Sequence, residues 1–106
     1  MTKVDFSSGI CGFTSELTFE KKSDESVILS IQSTCPHISS LNSGEPIELD
    51  PMAEIFGMGE GKLQNCQNNL QHRGCPFLTA ALKGVEVEAG LALPKDVIIT
   101  IKKEWI

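Results

Sequence analysis

The sequence predicts an α+β fold: about four strands in an antiparallel or mixed sheet, with three to four helices packed on one face. Three observations predict it. The first third of the chain alternates apolar and polar side chains, the period of a half-buried strand. The middle breaks into short segments opened by Pro and closed by Gly, as helices are. The alternation returns once more in "DVIITIKK" near the C-terminal end. Strands that come in a run, followed by helices in a run, belong to the α+β class.

Val4 and Phe6, alternating with Lys3 and Asp5, predict a short strand with one buried face. "SSGICGF" is a glycine turn carrying Cys11. In "TSELTFEKK", Leu17 and Phe19 face one way and Glu16, Thr18 and Glu20 the other. After the polar turn "SDES", Val27, Leu29 and Ile31 align on one side of a third strand, and the pair reads as a hairpin. Pro36 fits the first position of a helix, so "PHISSL" reads as a short turn ended by Asn42, Ser43 and Gly44. Asp50 is an N-cap for the helix "PMAEIFG". A third helix is expected from Lys62 to Gln71, closed by a left-handed Gly74. The fourth begins at Pro76 with a buried stripe of Leu78, Ala81, Leu82, Val85 and Ala89, and ends at Gly90. Val97, Ile99 and Ile101 then share one face of a final strand.

A chain of 106 residues is enough for one core, and residues 1–106 read as a single domain without repeat or linker. The net charge of −5, with no Lys/Arg cluster, argues against nucleic acid or an anionic membrane as partner. No run approaches the roughly 18 apolar residues of a membrane helix. The opening residues lack the apolar region of a secretory leader, which predicts a cytoplasmic location. Cysteines stay reduced there, so the four in this chain need a reason other than disulfide formation.

They stand at positions 11, 35, 66 and 75, and none forms a Cys-x-x-Cys pair. Cys11, Cys35 and Cys75 lie at the ends of predicted elements. Cys35 and Cys75 each precede a proline that opens a helix. A helix start carries about half a positive charge and free N–H donors. Both favour thiolate over thiol, the form that reacts and that binds zinc or iron–sulfur clusters. Cys66 shares an apolar stripe with Leu63 and Leu70, where plain core packing is the competing reading. His37 and His72, the two histidines, each lie within three residues of a cysteine. Either is a possible ligand or a partner that acidifies the thiol. A histidine near a helix C-terminus, as His72 would be, is also favourable for electrostatic reasons alone. Arg73 is placed to hold an anion beside Cys75. "GMGEGK" lacks the preceding strand and the glycine spacing of a phosphate loop, and puts Glu60 where the anion would sit. The carboxylates of "SELTFE" and "EVE" form no isolated pair of the glycosidase kind. No serine sits in a nucleophile elbow.

The steps "CPHI" and "CPFL" resemble the Cys-Pro-x-Pro motif of small sulfur-carrier proteins, whose active cysteine begins a helix; both lack the second proline. Through "CGF", "CPH", a lone cysteine, "CPF" and "VEVEAGLALPKDV", most of the chain resembles an uncharacterised family of small four-cysteine proteins from anaerobic microbes. That resemblance implies that the four cysteines belong together, and brings no activity with it.

Three functional readings follow. In the first, Cys11, Cys35, Cys75 and either Cys66 or a histidine (His37 or His72) bind zinc or an iron–sulfur cluster. In the second, Cys75 or Cys35 is the nucleophile of a thiol redox or sulfur-transfer protein, with the other as resolving partner. In the third the cysteines are incidental and the domain binds a protein partner, through an apolar patch near Phe77 or Trp105. The sequence does not decide whether the protein is an enzyme, nor its oligomeric state.

Overall fold

The structure is a computed structural model and describes residues 1–58, 61–70 and 73–104. Four strands, β1 (Thr2–Ser7), β2 (Thr14–Ser23), β3 (Ser26–Ser33) and β4 (Ile47–Leu49), form an antiparallel meander in the order β1-β2-β3-β4. Four helices accompany them: α1 (Pro36–Ser39), α2 (Pro51–Phe56), α3 (Lys62–Asn68) and α4 (Phe77–Glu88). The α+β class and the helix count agree with the sequence.

The registers Val4↔Leu17, Leu17↔Ile31 and Leu29↔Ile47 put the apolar positions of all four strands on one face. There Leu17, Phe19, Val27 and Leu29 are fully buried against Ile38, Leu63, Phe77, Ala81 and Val85 from the helical layer. The opposite face carries Lys3, Asp5, Glu16, Thr18, Ser30 and Gln32 and faces water, the expected division for an antiparallel sheet. Asp50 caps α2 as expected, its carboxylate accepting from the Met52 N–H at 3.0 Å. Gly90 is left-handed (φ 80°) just past α4.

Four expectations change. The fourth strand is Ile47–Leu49, too short to show a period, paired with Val27–Leu29. The expected strand over Val97, Ile99 and Ile101 is exposed chain without ladder pairing. Gly74 is not left-handed; α3 stops at Asn68, and its expected end at Gln71 lies outside the described residues. Phe77 is fully buried and so forms no surface patch, while Trp105 lies outside the described residues. No described helix is long and apolar enough to cross a membrane.

Candidate functional site

Strand register decides which ends meet. Ser7 pairs with Thr14, and Ser15 with Ser33, so the end of β1, the start of β2 and the end of β3 share one edge of the molecule. Cys11 ends a 3-10 turn (Gly9–Cys11) between β1 and β2 at that edge and is exposed. The turn is closed by N–H bonds from Gly12 to the Gly9 carbonyl and from Ser8 to the Phe13 carbonyl, both 2.9 Å.

Cys35 leaves β3 at the same edge and is the half-buried N-cap of α1. Its N–H donates to Ser33 Oγ at 3.0 Å, and that hydroxyl lies 2.7 Å from Ser15 Oγ. Thr34 N–H bonds the Thr14 carbonyl at 3.0 Å. The chain entering Cys35 is thereby fastened to the start of β2.

Cys75 arrives from the other layer. At the far end of α4, Glu88 Oε1 accepts from Thr2 Oγ1 at 2.7 Å. The helix runs back along β1, and Pro76 at its start lines one groove together with Phe6 and Ser7. Cys75 is half-buried and packs against the core, one residue before the Pro76 N-cap.

Its position is set by Gln67, a buried polar residue on α3 that the sequence reading passed over. Gln67 Oε1 accepts from the Leu78 N–H at 3.0 Å, while its Nε2 donates to the carbonyls of Arg73 and Cys75 at 3.3 and 3.4 Å. One side chain thus takes up a free donor of the α4 start and holds the loop before it. The signal was present: Gln67 falls between Leu63 and Leu70 on an apolar stripe, where a polar residue needs partners.

Cys66, beside Gln67, is also half-buried against the core. Burial pushes its thiol pKa up, and the charge of Glu54 adds to the effect. That carboxylate is pinned by the N–H groups of Lys62 and Leu63, both at 2.8 Å, where it caps α3. Cys66 is therefore held as a neutral thiol, which suits core packing.

All four cysteines are free thiols. The elements that carry Cys11, Cys35 and Cys75 reach one pole, and Cys66 stands next to Gln67, the residue that clamps Cys75. Yet among the described residues no three Cys, His, Asp or Glu side chains gather closely enough to hold a metal ion. His37 is exposed in the last turn of α1. Arg73 is exposed in the turn before Cys75; His72 lies outside the described residues, as does Glu60.

A family model described as a family of unknown function, DUF6951, matches residues 2–101. The chain belongs to that family. The matched span takes in all four cysteine positions and the segment after α4. No curated protein and no solved structure matches the chain.

Proposed function

We propose that this DUF6951 member is a thiol protein whose working groups are Cys75 and Cys35, acting in thiol–disulfide exchange or sulfur transfer. One observation carries the reading: both half-buried thiols stand at Cys-Pro helix entries on one pole, each with its backbone fastened by a side chain, Cys75 by Gln67 of α3 and Cys35 by the hydroxyl of Ser33 two residues before it. Fixed backbone with a partly open sulfur is what thiol attack requires. Cys75 is the attacking group, because twelve-residue α4 supplies the stronger field at its start. Its thiolate attacks one sulfur of a partner disulfide or persulfide, the other sulfur leaves as a thiolate, and a second thiol of the pole resolves the mixed species. Cys66, held neutral, is not the nucleophile.

A second reading is favoured by the shared pole itself. Zinc or an iron–sulfur cluster would draw Cys11, Cys35 and Cys75 together from the ends of three elements, with Cys66 or a histidine (His37 or His72) as fourth ligand. Binding would then be coupled to local ordering.

Anaerobically purified protein separates the two. Under the thiol reading it carries no stoichiometric metal, and limited alkylation followed by peptide mapping labels Cys75 first and Cys66 last. Cys75→Ser removes the fast phase and lowers the unfolding free energy by no more than about 1 kcal/mol, the centre of the range for point substitutions. Near-stoichiometric zinc, or iron with matching sulfide, would replace the thiol reading with the metal one.

A further inference from the structure

β1 is an edge strand: it pairs with β2 on one side, and among the described residues no strand pairs with its other side. Beside it, between β1 and α4, runs a groove of about 780 Å³ walled by Val4, Phe6, Ala80 and Val87. The chain after α4 passes this groove, Pro94–Ile99 lining it, yet makes no ladder with β1.

That passing segment is a strand in pattern. Val97, Ile99 and Ile101 share one side and Ile98 and Thr100 the other, and β-branched residues of this kind prefer a pleated sheet. It is also an exposed apolar run: Val97, Ile98, Ile99 and Ile101 are 51, 84, 67 and 89% exposed. Four large β-branched side chains thus stand exposed within five residues, a concentration unlike the scattered single apolar residues of an ordinary surface. An open sheet edge next to an open apolar strand is a combination that folded proteins cover.

We infer that the segment Val97–Ile101 is the strand that a second copy of this chain receives on its β1 edge, so that two copies exchange tails reciprocally. The chain carries both halves of the contact, an edge lacking a strand and a strand lacking an edge, which makes the surface self-complementary. Reciprocal exchange closes as a two-fold dimer and leaves neither half open. Its own body serves the tail only in part: the segment lies along its own groove as far as Ile99, yet Ile99 and Ile101 stay 67 and 89% exposed and no ladder ties the segment to its own β1. Each exchange covers the Val97, Ile99 and Ile101 side chains, the groove that receives them and the main chain of both strands. Two such exchanges are on the scale of the about 1,200–2,000 Å² that a stable interface buries. Main-chain bonds along β1 would supply register, and Val4, Phe6 and Ala80 the apolar seat.

Sedimentation velocity on the full chain at micromolar concentration tests this. The wild type is expected at the dimer mass, and the double variant Ile99→Asp, Ile101→Asp at the monomer mass with an unchanged far-ultraviolet spectrum. Hydrogen exchange gives a second reading that does not depend on a variant. β1 amides should be protected in concentrated protein and lose that protection at least tenfold on dilution below the dimer range. A wild-type monomer at all concentrations, or a dimer that survives both aspartates, would overturn the inference. So would β1 protection that ignores concentration, because the tail would then pair with its own edge.

Discussion

At Gly84 the backbone of α4 lies directly against a side chain of the sheet. A methyl group at that position would overlap the ring of Phe19, which is itself fully buried. Glycine in a helix interior costs about 1 kcal/mol relative to alanine, so its presence in mid-helix needs a cause, and the ring is that cause. Gly84→Ala is expected to lower stability despite the gain in helix propensity. Overpacking of this kind costs typically about 1–3 kcal/mol, and Phe19 is fully buried in the core. A urea unfolding curve reads the change; an unchanged or higher midpoint would show that the helix can move off the ring. In the sequence Gly84 is visible only as an oddity inside a helical stripe. Its reason is a contact with a residue on the second strand, and no local pattern carries such a contact.

At the scale of elements, the link that matters to the cysteine pole is the one between α3 and α4. Gln67→Leu keeps the volume but strips a bond from the Leu78 N–H and two from carbonyls. Leaving half-buried backbone groups without protein partners costs at most the about 1–3 kcal/mol of a fully buried group, since water reaches part of them. The stability loss is expected together with faster alkylation of Cys75, since the loop before α4 is released. A variant that unfolds earlier but labels Cys75 at the wild-type rate would show that Gln67 serves only the core. The short helices were legible because their starts are written locally, in Asp50-Pro51 and Cys35-Pro36. Strands were legible where the alternation was long, as in β2 and β3. β4 was not, because three residues show no period and Ile47–Leu49 becomes a strand only beside β3. The C-terminal run fails in the opposite sense. Its alternation is clear, but alternation states only a preference, and the segment makes no ladder with the open β1 edge that it passes.

Across the whole molecule, the sequence put three cysteines at element ends and left open which ends coincide. The meander register and the course of α4 along β1 decide that, and both are long-range facts. The same course places Glu88 at the opposite pole, where it ties α4 to two strands. Its Oε1 accepts from Thr2 Oγ1 at 2.7 Å, its Oε2 from the Lys21 N–H at 2.8 Å, and the Met1 ammonium is 3.6 Å away. Burial pushes the Glu88 carboxyl pKa up, but the bonds from Thr2 and Lys21 and the ammonium outweigh it, leaving the group below the ordinary carboxylate value. A carboxyl whose folded-state pKa is depressed binds its proton more readily in the unfolded chain. Its contribution is therefore complete above the unfolded value of about 4.3, and is lost as pH falls through the lower folded value. Thermal unfolding of the wild type should be flat in pH from neutrality down to about 5, then fall. In Glu88→Gln the midpoint should be lower at neutral pH, and the acid limb shallower, because the amide cannot ionise and cannot accept both bonds. Should the two proteins lose stability in parallel below pH 5, the acid sensitivity would belong to other carboxylates, and Glu88 would act as a neutral hydrogen-bond acceptor only.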